Sequence, residues 1–190
     1  MKKRSTAKKI KGIVVWDFDG VLFNIKRLKE DSRLIFRNHG ISSAAYEKMR
    51  VALRKKGGIF SLTSALKILR QMGYQVSGAQ LRSEFHRCLK SNTYLDSRAD
   101  KLLHGLRGNG FRHFILSFGI PAFQYKKIHV GCGRTFRRHF EAMRVTQKPK
   151  FLFIKRIVKL YPDLPIFFID DTREHIDLVK KNLPKVKTIF

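Results

Sequence analysis

The chain has 190 residues, 43% of them hydrophobic with 16 Phe, enough to bury a core and too apolar for a disordered polyelectrolyte despite 41 Lys and Arg against 14 Asp and Glu. Its apolar runs fall far short of a membrane span, so no membrane partner is expected. Its two cysteines, Cys88 and Cys132, match no zinc or redox spacing and read as free thiols in a reducing, cytoplasmic setting.

In chain order, residues 1–11 form a basic tail, and the apolar stretch after it is too short and too soon interrupted by Asp17 to be a signal peptide. Ile13 to Trp16 is a continuous apolar run, the pattern of a strand buried on both faces. Gly20 then allows a tight turn. From Lys26 to Leu95 the periodicity is helical. One helix ends at Gly40; Ser42 or Ser43 starts a second that stops at Gly57-Gly58; Ser61 or Thr63 starts a third, ending near Gly73; a fourth covers Ala79 to Leu89. Beyond this all-helical insert, Ser97 is positioned to cap a short helix. Phe111 to Leu116 reads as a strand, Ala122 to His129 as a helix and Ala142 to Thr146 as a strand. Pro149 suits the first turn of a helix reaching Tyr161, and strand, helix and strand follow at 166–169, 175–181 and 186–189. The alternation predicts an α/β class: a Rossmann-like parallel sheet flanked by helices, at 12–23 and 96–190, with a helical cap inserted at 24–95.

Four of the 14 acidic residues sit at the ends of two apolar runs: Asp17 and Asp19 in Asp-Phe-Asp-Gly, and Asp170-Asp171 after Ile166-Phe167-Phe168-Ile169. Carboxylates at the edge of a core need cationic partners or a metal ion. In open parallel sheets the strand ends form one ligand-binding edge, so these residues and Ser117 can converge there. Alone, Asp-X-Asp-Gly could be a turn or part of a calcium loop, and Asp170-Asp171 could cap a helix. None of the seven histidines has ligand spacing.

Together the motifs resemble those of the haloacid dehalogenase-like (HAD) superfamily, mostly phosphatases, over nearly the whole chain after the tail. The first is Val15-Trp16-Asp17-Phe18-Asp19-Gly20-Val21, the second Leu116-Ser117-Phe118-Gly119, the third Lys148 in Gln147-Lys148-Pro149-Lys150, and the fourth Phe168-Ile169-Asp170-Asp171. Lysine is common enough here that Lys150 can stand in for Lys148. The resemblance implies a magnesium-dependent phosphomonoester hydrolase. Asp17 would be the nucleophile, forming an aspartyl-phosphate, and Asp19 the general acid and base. Ser117 and Lys148 would hold the phosphoryl oxygens, with backbone amides near Phe18 and Asp19 completing the cradle. Asp17, Asp19 through its carbonyl, Asp170 and Asp171 would surround Mg²⁺. Response-regulator receivers share the ingredients, but their acidic pair lies near the amino end. Dehalogenases lack an acid/base Asp at the position of Asp19, so its presence favours phosphatase chemistry.

The expected substrate is a small phosphorylated metabolite or nucleotide. Two alternatives remain open: a phosphatase for nucleic-acid ends or a nucleic-acid-bound substrate, and a non-catalytic polyanion-binding protein with the same fold. The +27 charge allows nucleic-acid contact without localising it, since basic residues are spread along the chain. Arg50, Arg54, Lys55 and Lys56 share one cap helix; a solvated face is the preferred reading, an anionic-substrate contact the other. Tyr125, Phe136 and Phe140 lie among cations and could stack on bases, though core positions suit the two Phe better.

Overall fold

The computed structural model describes residues 9–55, 59–91 and 93–190. Most of the basic tail, Lys56 and the Gly57-Gly58 stop lie outside the described residues. The order of elements is β1 (Gly12–Trp16), α1 (Ile25–Asn38), α2 (Ser43–Lys55), α3 (Leu62–Gln71), α4 (Gly78–Ser91), α5 (Ser97–Gly108), β2 (Phe111–Phe118) and α6 (Pro121–Lys126). A π-helical turn (Lys127–Gly131) follows, then α7 (Gly133–Arg137), β3 (Phe140–Thr146), α8 (Phe151–Leu160), β4 (Ile166–Ile169), α9 (Arg173–Asn182) and β5 (Lys187–Ile189).

The five strands form one sheet in the order β3-β2-β1-β4-β5, and every pairing is parallel. β1 is central and buried along its whole length, which is why its sequence is an unbroken apolar run. Its side chains alternate between two cores. Ile13 and Val15 join Ile154, Ile176 and Val179 of α8 and α9 on one face. Val14 and Trp16 join Leu103, Ile128 and Phe136 on the other. That second core continues without a break into Leu28, Phe36, Tyr46, Met49, Leu69 and Phe85 of α1–α4. The helical insertion is therefore packed onto the sheet layer rather than tethered beside it.

Local choices at helix ends follow side-chain chemistry. Ser42 Oγ accepts from the Ala45 amide and Ser61 Oγ from the Ser64 amide, capping α2 and α3. α5 is capped by Asp96, whose carboxylate accepts from the Arg98 amide, not by Ser97, which is already helical. Pro149 lies just ahead of α8 rather than inside its first turn. α7 and the π-helical turn had no separate signature in the sequence. β2 runs two residues beyond Leu116, because Ser117 and Phe118 go on pairing with Val145 and Thr146 of β3. Ser117 is thus inside the strand end, not in the loop after it. Phe136 is buried at 1% exposure and packs on the Phe140 ring, so both serve the core, as preferred.

Candidate active site

The chain runs from β1 out to β2 and β3, then crosses back to place β4 on the other side of β1. This reversal opens a crevice at the carboxyl ends of β1 and β4. Asp17 follows β1 directly, and its amide donates to the Ile169 carbonyl of β4 at 2.8 Å. Asp170 and Asp171 follow β4. Ligand-type oxygens of Asp17, Asp170 and Asp171 lie within 4.8 Å of one another, although 153 positions separate the first two.

The lysine at the centre of this group is Lys150, not Lys148. Lys150 is 1% exposed, and its ammonium lies 2.7 Å from both Asp17 Oδ1 and Asp170 Oδ2. Lys148 is exposed, and its described polar contacts are backbone ones with the Thr146 hydroxyl. The physical reason is the turn at 147–150: Lys150 is the residue that falls immediately ahead of α8, facing the sheet end.

Asp170 is fully engaged. Its Oδ2 meets Lys150 and His175 Nδ1 at 2.7 and 3.0 Å, and its Oδ1 accepts from the Thr172 amide at 2.9 Å. Burial alone would raise its pKa, but the His175 and Lys150 contacts outweigh that and hold the carboxyl below its usual range. Asp17 goes the other way. Burial pushes it up to about 6; the Lys150 ammonium opposes this and the Asp170 carboxylate adds to it. Asp17 Oδ1 also accepts from the Phe18 amide at 2.7 Å. That N–H was expected to face phosphoryl oxygens; here it orients the carboxylate instead.

Asp171 is exposed at the rim, and its approach depends on Gly20. Gly20 has φ +86°, and a Cβ added there would sit 1.9 Å from Asp171 Oδ2. A donor set of hard carboxylate oxygens, with Asp17 engaged through Oδ1 alone and Asp171 held only by a 3.5 Å contact from the Thr172 hydroxyl among the described residues, fits a hard divalent cation such as magnesium. The Asp19 carboxylate is not in this cluster.

Asp19 points instead toward a second buried lysine. Lys127 is 1% exposed, and its Nζ lies 2.6 and 2.5 Å from the two oxygens of Asp19. The ammonium also stands over the Phe18, Phe23 and Phe123 rings, at 5.3–5.7 Å from their centroids. Burial lowers its pKa, with Asp19 opposing. Gln124 Nε2 donates to Asp19 Oδ2 and to the Phe118 carbonyl, both at 2.9 Å. Gly119 makes room for this amide, since a Cβ there would lie 2.6 Å from it. Ser117 is 1% exposed and its Oγ is buried without a partner among the described residues. An unpaired buried hydroxyl at a strand end is costly, and a ligand oxyanion would satisfy it.

Lys127, Gln124 and His175 were not singled out from the sequence. Gln124 and Lys127 stand three apart, one helical face, which was the available signal; His175 lies in the first turn after the acidic pair. Cys88 Sγ lies 3.0 Å from the Tyr94 hydroxyl, and burial pushes the Cys132 thiol up to about 12, so it stays protonated.

Solved structures share this fold. A protein of Burkholderia xenovorans LB400 assigned as a haloacid dehalogenase-like hydrolase superposes with a TM-score of 0.74 at 20% identity, over 95% of this chain and 82% of its own. The fold is that of the HAD-like hydrolases. A HAD-family enzyme of Bacteroides thetaiotaomicron, solved in complex with magnesium and inorganic phosphate, matches with a TM-score of 0.61 at 19% identity, over 94% of this chain and 93% of its own. CbbY from Rhodobacter sphaeroides, solved with xylulose-1,5-bisphosphate, matches this HAD-like fold with a TM-score of 0.56 at 14% identity, over 94% and 85%. No protein-family model matches the sequence, and no curated protein does. Among the described residues no helix is long and apolar enough to cross a membrane.

Proposed function

We propose that the protein is a magnesium-dependent phosphomonoester hydrolase of the HAD superfamily, with residues 24–95 as its cap. The observation that carries this is the convergence of Asp17, Asp170, Asp171 and Lys150 at the crevice of the sheet, with Asp19 held separately beside them. The HAD-like fold of the chain and the magnesium and phosphate bound to a structural neighbour support it.

Asp17 attacks phosphorus through a carboxylate oxygen, and the bond from phosphorus to the leaving oxygen breaks as Asp19 gives that oxygen its proton. Asp19 then takes a proton from water as water attacks the aspartyl-phosphate, releasing inorganic phosphate and regenerating Asp17. Asp17 and Asp171 would hold magnesium, which offsets the repulsion between the nucleophilic carboxylate and the phosphate dianion. In this reading Lys150 neutralises Asp17 and a phosphoryl oxygen, and Ser117 Oγ donates to another. Lys127 and Gln124 hold Asp19 on the leaving-group side. The test is phosphate release from a panel of phosphomonoesters with magnesium, with Asp17→Asn as control. Failure of the wild-type protein on the whole panel rejects the reading.

One observation favours a second reading, action on a nucleic-acid-bound substrate. A groove of about 560 Å³ beside β3 and α8 is lined by Arg144, Lys148, Lys155, Arg156 and Lys159, with no carboxylate among its lining residues. Phosphate contacts there predict oligonucleotide binding that weakens steeply with salt. Binding with no salt dependence, or none at 50 mM salt, removes this reading.

A further inference from the structure

Between the helical insertion and the sheet lies a cavity of about 220 Å³ that opens on the acid/base residue. Asp19 and Lys127 form its floor. Its walls are the rings of Tyr46, Phe60, Phe85 and Phe123, with Leu28 and Ile25 beside them. Two further cations line it, Lys29 from α1 and Arg50 from α2. The sequence reading preferred a solvated face for Arg50; its side chain is instead only 20% exposed, set against the Tyr46 ring at 5.8 Å.

Three properties of this cavity bear on what fills it. First, its position: a group protonated by Asp19 on leaving must lie on the Asp19 side of phosphorus, so this cavity receives the leaving alcohol. Second, its size is below the roughly 300–1,000 Å³ of pockets for drug-sized ligands, so it accepts about one ring and a substituent rather than a nucleotide chain. Third, its charge: Asp19 is already paired to Lys127, and among the described residues the nearest carboxylate to Arg50 is Glu47 at 3.9 Å, itself held at 2.7 Å by Arg33. Lys29 is exposed at the cavity mouth; burial and then the Arg50 and Arg54 cations lower its pKa, with the Asp19 and Asp171 carboxylates opposing. Two crowded cations above a ring-lined hollow are relieved by an anion placed between them.

We propose, resting on the phosphatase reading, that the substrate is a small aryl phosphomonoester whose ring carries a second acidic group, and that Lys29 and Arg50 bind that group. The ring stacks among Tyr46, Phe60, Phe85 and Phe123, the ester oxygen lies at Asp19, and the second anion reaches the cap cations. Lys29 and Arg50 are specificity-determining residues under this assignment, and take no part in the proton transfers.

The experiment compares phenyl phosphate with 3-carboxyphenyl phosphate in the wild-type protein and in Arg50→Ala and Lys29→Ala. The wild-type protein should prefer the carboxylated ester by roughly tenfold or more in kcat/KM, the scale of a charged hydrogen bond. In Arg50→Ala that ratio should collapse toward one. Equal kcat/KM for the two esters in the wild-type protein, or an undiminished ratio in both variants, overturns the assignment while leaving the phosphatase reading intact. Calorimetric binding of phenylphosphonate and 3-carboxyphenylphosphonate to the magnesium-loaded protein decides the matter without turnover. Tighter binding of the carboxylated analogue, lost in Arg50→Ala, supports the subsite, and equal affinities reject it.

Discussion

At the ends of β1 and β4, Asp17, Asp170 and Lys150 are buried, and the ammonium meets both carboxylates at 2.7 Å. Across the same crevice, the exposed Lys29 and the part-buried Arg50 line an aromatic-walled cavity, and among the described residues no carboxylate is closer than 3.9 Å to Arg50. On the sheet side the Lys150 ammonium and the Asp170 carboxylate are both met by protein groups. On the proposal above, the cap side meets the second acidic group of the ester with Lys29 and Arg50, so its energy depends on which ester arrives. Removing the Lys150 ammonium from the first should cost folding and turnover together, whereas removing a cation from the second should cost discrimination.

The largest expected effect is on the sheet side. Asp17→Asn removes the proposed nucleophile and should lower phosphate release by more than about 10⁴-fold. It should not lower the melting temperature, because it also removes a carboxyl that burial disfavours as an anion, as its rise to about 6 records. A comparable melting temperature with full activity would break the assignment of Asp17.

Lys150→Met leaves two buried carboxylates facing each other, and should destabilise the fold by about 3–5 kcal/mol in denaturant titration while abolishing turnover. Lys148→Met changes an exposed side chain and should stay within about 0.5 kcal/mol. If the two variants behave alike, the sheet side is not organised around Lys150.

Lys127 belongs to the boundary between the two regions. Lys127→Met should slow hydrolysis of phenyl phosphate by about 10²-fold but 4-nitrophenyl phosphate far less, because nitrophenolate leaves without a proton from Asp19. A uniform loss on both esters would make Lys127 a packing residue only. Gly20→Ala acts on the metal side: its Cβ would displace Asp171, so magnesium affinity measured by calorimetry should fall about 10–100-fold.

The smallest effect is a pH dependence of the sheet core. Trp16 Nε1–H donates to His113 Nδ1 at 3.1 Å, and burial lowers the His113 pKa to about 4. A protonated ring cannot accept that bond. The unfolded chain binds the proton below about 6.5 and the folded chain only near 4, so stability should be full above 6.5 and decline as pH falls toward 4. His113→Leu should flatten that decline in urea titrations between pH 4 and 7.

Much of this protein could be read from its sequence, for reasons that lie in short-range physics. A buried parallel strand reads as an unbroken apolar run, so the fully buried β1 and the largely buried β4 were visible; helical periodicity marked α1–α4, with Ser caps at α2 and α3; acidic pairs at strand ends marked the crevice. Residues within one turn of a strand end are placed by the strand itself. What no local pattern could carry was the partner of each charge. Which of two lysines two residues apart reaches Asp17 depends on how the 147–150 turn meets α8. That Asp19 faces Lys127, 108 positions away, depends on packing of the π-helical turn beneath the cap. Arg50 reads as a surface cation on its helix and becomes a cavity wall only when α1 and α2 close over Asp19. Side-chain charges are compensated across the fold rather than along the chain, so the sequence by itself determined the scaffold and the acids, and the tertiary structure alone decided the pairing.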